Sequence, residues 1–399
     1  MNFWQTLKKP IFVLAPMADV TDPAFRRIIA KYGKPDVMWT EFVSADGLFL
    51  GGYEHLIKDL AFTEREKPIV AQFFTGKPDM MEKAAELAVN LGFDGIDINM
   101  GCPDKSVEKQ GGGAANIKNL KLAQEIILAA KRGALKAFQR SDLKNPNSQG
   151  RTFGPTPVSV KTRIGYNKDE LEIWLPALLE TNPAVITLHA RTRKEMSSVP
   201  ARWKHVSRAV EIRNGFVDSN GNKSQTLIFG NGDVINLNDA RKKAEETGCD
   251  GVMLGRAIFG NPWLFAECST KIPRVTLGST KIPRVTLGIS DMLRTPIVTN
   301  MARGVLGIKE ILKVMVEHTK LFQELLPEKS FAIMKKHYKA YLSSIASAKE
   351  DVDWHKKVKE LRMKLMEAKD AREVEEIVEE YIKDGYKYRL TYFSYKQTL

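Results

Sequence analysis

The sequence predicts an α/β protein: a (β/α)8 TIM barrel followed by a smaller C-terminal helical-bundle domain. Between Ile11 and Leu254, eight short apolar runs rich in β-branched residues alternate with helical patterns, which indicates a parallel sheet surrounded by helices. From Gly307 to Lys383, apolar residues recur at three- and four-residue spacing, which is typical of packed helices. A doubly wound open sheet uses a similar pattern with fewer strands and is the alternative.

The eight predicted strands fix which loops are expected to carry chemistry. In chain order they are Ile11–Ala15, Val37–Phe42, Ile69–Phe74, Gly95–Met100, Val158–Thr162, Val185–Ala190, Leu227–Asn231 and Gly251–Gly255. Barrel enzymes build their sites from the loops that follow strands, and glycines and polar residues cluster there in this sequence. Two long irregular stretches, Gln139–Thr156 and Asn214–Thr226, precede strands instead. We expect these two to be surface insertions on the opposite face.

Composition shifts divide the chain into four parts. We predict a barrel over residues 1–268, a linker over 269–306, a helical domain over 307–385 and a basic, aromatic tail over 386–399. The linker contains an exact duplication, because STKIPRVTLG occupies Ser269–Gly278 and again Ser279–Gly288. Two copies of so short a unit cannot stack into a solenoid.

Charge points to a polyanionic partner. The 399 residues carry a formal net charge of +13, and nucleic acid is the commonest partner of such proteins. Lys335, Lys336 and Lys339 lie on one predicted helix, interleaved with Tyr338 and Tyr341. We predict that this helix contacts nucleic acid; a solvated helix face is the alternative.

Other classes of protein are disfavoured. No apolar run approaches the roughly 18 residues of a membrane span, so we expect no membrane partner. The three cysteines, Cys102, Cys249 and Cys268, are far apart, which fits neither a disulfide framework nor a zinc site. We therefore expect a cytoplasmic protein without a metal centre, and a monomer.

The ends of the last two strands predict a phosphate site. Asn231, Gly232 and Asp233 follow strand seven, and Gly255 and Arg256 follow strand eight. In barrels these loops often bind phosphate through backbone N–H groups and a helix N-terminus. No dinucleotide fingerprint follows a strand, so the phosphate is expected to belong to a mononucleotide.

Polar residues on otherwise apolar strands predict contacts to the rest of that ligand. Gln72 lies in strand three, Lys161 near the end of strand five and His189 at the end of strand six. Burying such groups without partners is costly. A lysine that points into the barrel mouth is expected to meet an anion, and a reduced flavin is one.

Strand four places a thiol above this set. Asp97 and Asn99 alternate with apolar residues and should point into the barrel, with Cys102 in the loop that follows. An ordinary thiol is mostly protonated at neutral pH. Cys102 can therefore act as a general acid or, once deprotonated, as a nucleophile, although no nearby histidine in the motif would activate it.

These motifs together resemble the tRNA-dihydrouridine synthases, a family of flavin enzymes. The resemblance rests on segments that occur in the family's order and span the barrel. They are APMADVTD (Ala15–Asp22), the Gln72 strand, DINMGCPDKSVEKQGGGAA (Asp97–Ala115), SVKTRIG (Ser159–Gly165), LHARTRKEM (Leu188–Met196), GNGDV (Gly230–Val234) and GVMLGRA (Gly251–Ala257). The helical domain resembles the family's RNA-binding domain more loosely.

The resemblance implies a role for each residue. FMN would be reduced by NADPH or NADH and would then give a hydride to C6 of a tRNA uridine. Cys102, on a mobile loop, would give the proton to C5. The residues implied to bind FMN are Pro16, Met17, Ala18, Gln72, Lys161, His189, Asn231, Gly232, Asp233, Gly255 and Arg256. Asn99 and Arg191, helped by His189, would place the uracil, and Lys335, Lys336 and Lys339 would bind the tRNA.

Two rival interpretations remain at this point. One is an FMN barrel that acts on a free pyrimidine, but a small base requires neither the helical domain nor the charge. The other is a tRNA-binding protein without catalysis, which predicts no flavin. The sequence also departs from the family after HARTR, where it reads KEMSSVPARW (Lys194–Trp203). Gly111–Gly113 are explained equally by loop closure and by clearance for RNA.

Overall fold

The computed structural model describes residues 2–144, 154–266, 305–346 and 352–395. Contacts divide the chain into two compact units, Met1–Ile258 and Phe259–Leu399. The duplication, nearly all of the predicted linker and Cys268 lie outside the described residues. So do the middle of the stretch 139–156 and the side chains of the tail.

Eight parallel strands form one sheet in the first unit. They are β1 (Ile11–Leu14), β2 (Met38–Ser44), β3 (Ile69–Phe74), β4 (Gly95–Met100), β5 (Val158–Arg163), β6 (Val185–His189), β7 (Leu227–Asn231) and β8 (Gly251–Leu254). From β2 to β8 each strand pairs with the next, and β8 pairs with β1. A parallel bridge between Val13 and Val37 completes the circle. The predicted TIM barrel is thus confirmed, and the open sheet is excluded.

Helices follow the strands on the outside of the sheet. They are α1 (Pro23–Tyr32), α2 (Ala45–Phe49), α3 (Tyr53–Leu56), α4 (Pro78–Leu91), α5 (Lys105–Lys109), α6 (Leu120–Lys144), α7 (Leu171–Leu179), α8 (Lys204–Gly215) and α9 (Leu237–Thr247). The side chain of Asp22 caps α1 by accepting the N–H of Phe25. Gly92 ends α4 in the left-handed conformation, with φ of 86°, which suits a residue without a Cβ.

The barrel interior is apolar at one end and polar at the other. Trp4 closes the end where the strands begin, with its ring centroid 5.7 Å from that of Trp39 and 5.6 Å from that of Phe229. Toward the carboxyl ends, polar side chains replace the apolar ones. Gln72 and Asp97 are paired in register, and Asn99 pairs with Lys161. This change of polarity marks the end where a polar ligand can be bound.

The described part of the second unit contains four α-helices. They are α10 (Val305–Leu325), α11 (Met334–Ala346), α12 (Val352–Glu367) and α13 (Ala371–Tyr395). Helix α10 packs against α11 and α13, and α12 packs against α11 and α13, as in a helical bundle. Among the described helices, none is both long enough and apolar enough to span a bilayer.

Helix α11 turns its aromatic side toward the bundle interior. Tyr338 and Tyr341 are buried, and Tyr338 lies 3.2 Å from Oγ1 of Thr319. Lys336 and Lys339 are exposed, whereas Lys335 is half-buried. The interleaved tyrosines therefore support the core of the bundle and are not available for stacking on bases.

Candidate active site

The predicted site residues of the barrel meet at the carboxyl ends of neighbouring strands. The register pairs Asn99 with Lys161, Arg163 with His189, and His189 with Asn231. Side chains at one level of adjacent parallel strands are neighbours. Four consecutive strands, β4 to β7, thus contribute to one polar surface.

The loop after β4 holds Cys102 directly above Asn99. Oδ1 of Asn99 accepts the N–H groups of Gly101, at 3.1 Å, and of Cys102, at 2.9 Å. The Cys102 carbonyl accepts the N–H of Ala114 at 2.9 Å, and the Gly101 carbonyl accepts Nε of Arg163 at 2.7 Å. These hydrogen bonds connect the loop to β4, to β5 and to Ala114.

The thiol of Cys102 is half-buried and protonated at neutral pH. Burial raises the pKa of Cys102 above its usual value, although the Asp104 N–H and the charges of Lys161 and Arg163 oppose that shift. A protonated thiol fits a proton donor better than a nucleophile. Cys249, the other cysteine among the described residues, is buried beside β8 and donates to the Gly251 carbonyl.

The three glycines after this loop make close contacts inside the protein. A Cβ on Gly113, whose φ is +59°, would lie 2.7 Å from the Cys102 carbonyl oxygen. A Cβ on Gly112 would lie 2.8 Å from the ring of Phe74, and Gly111 packs on the backbone of Gly76. The glycines therefore let this segment pack closely against the loops after β3 and β4. Close packing is a third explanation for them, beside loop closure and clearance for RNA.

Gln72 is fully buried, and its amide connects two residues of β4. Its Nε2 donates to Oδ2 of Asp97 at 2.5 Å, and its Oε1 accepts Nδ2 of Asn99 at 3.0 Å. Oδ1 of Asp97 in turn accepts the hydroxyl of Ser159 at 2.5 Å. Gln72 thus orients Asn99, in addition to any contact with the predicted flavin.

Lys161 and His189 are two basic groups in a dehydrated setting. Burial, with the nearby charge of Arg163, lowers the pKa of Lys161 to about 8. Burial and the same cation hold the pKa of His189 well below its usual range, so its imidazole is neutral. Nδ1 of His189 is buried and has no hydrogen-bond partner among the described residues. A cation and an unpaired ring nitrogen at the same end of the barrel suit an anionic, heteroaromatic ligand.

The loops after β7 and β8 form a cradle of backbone N–H groups. Those of Gly232, Asp233, Gly255 and Arg256 donate to no acceptor in the part of the chain that the structure describes. Gly232 has a φ of +120°, and a Cβ there would lie 2.8 Å from Cβ of Ala201, so only glycine fits. Free N–H groups on two adjacent loops are the usual donors for a phosphate.

Asp233 holds this cradle together. Its carboxylate accepts the guanidinium of Arg191, the N–H of Ala201 at 2.8 Å and Nη2 of Arg256 at 2.9 Å. The hydrogen bond from Arg191 is the main reason why the pKa of Asp233 is lowered. Two arginines compensate the carboxylate, so its charge does not oppose an anion at the neighbouring N–H groups. The Asn231 side chain donates to the Met253 carbonyl and likewise shapes the loop.

Other predicted residues differ in their surroundings. After β1, Pro16 is buried, Met17 is half-buried and Ala18 is exposed, which leaves Ala18 accessible to a ligand. The side chain of Arg191 is only 3% exposed, and its Nε donates to the Val199 carbonyl. Arg191 thus contacts the cradle and the loop after β6. Lys335, Lys336 and Lys339 belong to the other compact unit.

Sequence reasoning missed three residues near the thiol. Arg163 lies on β5 and is 9% exposed. It binds the loop 101–104, which contains Cys102 and is called the cysteine loop below. Arg193 and Glu108 form an ion pair beside that loop. The signal for Arg163 was its spacing, because it follows Lys161 by two positions and shares its face of the strand. Among the described residues, no cluster of histidine, cysteine and carboxylate side chains could hold a metal ion.

Comparisons with known sequences match this chain to one family. A family model described as dihydrouridine synthase matches residues 13–384. The chain is 39% identical over 268 residues to "Probable tRNA-dihydrouridine synthase 2" of Bacillus subtilis (strain 168), a match that covers 67% of this chain and 74% of that protein. It is 38% identical, with the same coverage, to "Probable tRNA-dihydrouridine synthase" of Staphylococcus aureus (strain COL).

Solved structures give weaker matches. Histamine dehydrogenase from Rhizobium sp. 4-9 aligns with a TM-score of 0.43 at 12% identity, over 64% of this chain and 45% of that one. On the match of its sequence to the family across the barrel and the helical unit, the chain belongs to the dihydrouridine synthase family.

Proposed function

We propose that this protein is a tRNA-dihydrouridine synthase that uses FMN and is reduced by NADPH or NADH. The observation that carries the proposal is the position of Cys102: a protonated thiol, fixed above Asn99, at the end of the barrel that also holds the N–H cradle. A proton donor beside a mononucleotide site is what reduction of a pyrimidine double bond requires.

The residues present fit FMN. The cradle formed by the loops after β7 and β8 would accept its phosphate, with Arg256 adding charge. Lys161 and the unpaired Nδ1 of His189 would face its ring system. When bound and reduced, FMN would supply the hydride that C6 of the uracil accepts.

The protein's own residues complete the reaction. Asn99 uses its carbonyl oxygen on the cysteine loop, so it can offer only an N–H to the substrate, and a uracil carbonyl is a matching acceptor. The thiol of Cys102 then gives its proton to C5. Hydride at C6 and proton at C5 together saturate the double bond, and the resulting thiolate is stabilised by the cations of Lys161 and Arg163.

A tRNA substrate is supported by the positive charge of +13, by the lysines of α11 and by the names of the relatives. The uridine must leave its stack to reach the barrel mouth, at a cost of a few kcal/mol. Both of these relatives are named as tRNA-dihydrouridine synthases, and a free pyrimidine would need no lysine-bearing second unit.

The test compares substrates directly. The purified protein is examined for bound flavin by absorbance near 450 nm and mass spectrometry. It is then incubated with NADPH or NADH and either tRNA that lacks dihydrouridine, free uracil or orotate. We expect dihydrouridine in tRNA and no turnover of the free bases. Turnover of a free base alone, or absence of flavin from the folded protein, contradicts the proposal.

A further inference from the structure

The cysteine loop is held by arginines on both sides. Nε of Arg163 donates to the Gly101 carbonyl at 2.7 Å, and Nη2 of Arg193 donates to the Pro103 carbonyl at 3.4 Å. The residue between these two carbonyls is Cys102. The position of the thiol therefore depends on both contacts, of which Arg163 is anchored further by the Thr192 and Met196 carbonyls.

The side chain of Arg193 is positioned by the carboxylate of Glu108 and also lies over the ring of Tyr166, 5.2 Å from its centroid. Its Nε and Nη2 donate to Oε1 and Oε2 of Glu108 at 2.8 and 2.5 Å. The two side chains are only 23% and 13% exposed, so water screens the pair less than a surface pair. Two-pronged arginine–carboxylate pairs fix geometry as well as adding energy.

Glu108 connects the other end of the cysteine loop to Arg193. It lies on α5, the short helix that begins directly after the loop, at Lys105. The hydroxyl of Tyr166 also donates to its Oε2 at 3.3 Å. The cysteine loop and α5 are thus connected to the segments that follow β5 and β6.

We infer that the Arg193–Glu108 ion pair is a positioning device that holds Cys102 where it can protonate the substrate. This inference rests on the proposed function, because it assigns the pair a part in delivering the proton. Neither residue touches the reacting atoms. When the pair is broken, the Pro103 carbonyl loses its contact with Arg193, and the thiol moves over a wider range of positions.

Thiol reactivity tests this without any turnover. Arg193→Ala removes a cation near Cys102 and so favours the thiol form, whereas Glu108→Ala removes an anion and favours the thiolate. If charge alone mattered, the two variants would change the alkylation rate of Cys102 in opposite directions. If the pair restrains the loop, both variants raise the alkylation rate of Cys102. The increase is roughly tenfold if the free energy of opening the loop falls by about 1.4 kcal/mol.

Transient kinetics test the link to catalysis. In both variants we expect reoxidation of the reduced enzyme by tRNA to slow by about 10- to 100-fold, since small misplacements of a reacting group have such effects. Reduction by NADPH, flavin content and the Kd for tRNA should stay the same. Glu108→Gln, which keeps one hydrogen bond, should show an intermediate effect. The double alanine variant should be no slower than either single variant.

Arg208→Ala is the matched control, because it breaks an exposed arginine–glutamate pair, with Glu172, elsewhere on the barrel. It should leave alkylation and reoxidation unchanged. The inference is overturned if the alkylation rate of Cys102 is unaltered in both variants. It is also overturned if only Arg193→Ala slows reoxidation and this variant binds tRNA more weakly, which would make Arg193 an RNA contact. If the wild-type protein makes no dihydrouridine, the proposed function fails, while the alkylation results still decide whether the pair restrains the loop.

Discussion

Nε2 of Gln72 donates a hydrogen bond to Oδ2 of Asp97 at 2.5 Å, and both side chains are completely buried. A carboxylate can only accept, so this contact fixes which end of the Gln72 amide faces Asn99. Asn99 must then turn its own oxygen toward the cysteine loop. The charge of Asp97 thereby sets the direction of a chain of hydrogen bonds that ends at Cys102.

This chain predicts an acid limit to activity. Burial raises the pKa of Asp97 to about 6; above that pH the group is a carboxylate and accepts, and below it the protonated group can donate, which removes the constraint on Gln72. We expect reoxidation by tRNA to slow as pH falls below about 6. The Asp97→Asn variant should be reoxidised slowly by tRNA at every pH, and its rate should not fall further below pH 6, the acid limb of the pH–rate profile.

Ser159→Ala should move the same acid limb in a defined direction. The Ser159 hydroxyl stabilises the carboxylate form, so its removal should raise the pKa of Asp97 and move the limb to higher pH. A limb that persists in Asp97→Asn would show that another group titrates.

Removing the thiol tests the proton donor. Cys102→Ala should lower dihydrouridine formation by roughly 10²–10⁴-fold, the usual effect of losing a general acid. Flavin content and tRNA affinity should not change, because the loop is held by backbone contacts that alanine keeps. Cys249→Ala is the control and should remain active. Full activity of Cys102→Ala, measured as dihydrouridine by mass spectrometry, would exclude the role.

The barrel, and the end of it that carries polar side chains, were predictable because strand periodicity determines both fold and side-chain direction. Alternation along β4 placed Asp97 and Asn99 inside, and the structure agrees. The Arg193–Glu108 pair was not predictable, since its partners are separated by 85 positions and lie on loops without periodicity. The inward turn of Tyr338 and Tyr341 was missed for a similar reason: both faces of α11 contain aromatic or basic residues, and only packing decides which is buried.

Close packing of the glycine segment predicts a strong effect of a single methyl group. Gly113→Ala would place a Cβ 2.7 Å from the Cys102 carbonyl oxygen at a positive φ. We expect a loss of about 1–3 kcal/mol in the free energy of unfolding and slower reoxidation by tRNA. Gly215→Ala, with nothing within 4 Å of its added Cβ, should change neither. Equal stability of the two variants in urea would contradict the packing explanation.

The lysines of α11 predict how binding responds to salt. Replacing Lys335, Lys336 and Lys339 together by glutamine should weaken tRNA binding. It should also reduce the slope of log affinity against log salt by up to roughly 0.7–0.9 for each phosphate that the protein no longer neutralises. The exposed Lys356, Lys357 and Lys359 of α12 provide a control with the same charge change. If the α12 variant reduces the slope as much as the α11 variant, binding depends on net charge and not on this helix.

Two buried histidines predict that the helical unit loses stability in acid. The rings of His318 and His337 lie 4.6 Å apart between α10 and α11. Burial lowers the pKa of His337 to about 4 and holds that of His318 well below its usual range. A histidine in the unfolded chain has a pKa of about 6.5. Between these values the unfolded state therefore binds more protons, and stability falls as pH falls from about 6.5 toward 4.

Between pH 6.5 and 4 the free energy of unfolding should fall by an amount on the order of 3 kcal/mol because of His337 alone. Amide hydrogen exchange in α10 and α11 should therefore be faster at pH 5 than at pH 7, after correction for intrinsic rates. His337→Phe keeps an aromatic ring in the core but cannot be protonated, so it should reduce the pH dependence. His355→Gln, on an exposed site of α12, should leave that dependence unchanged. A His337→Phe variant as acid-sensitive as the wild type would assign the effect to other groups.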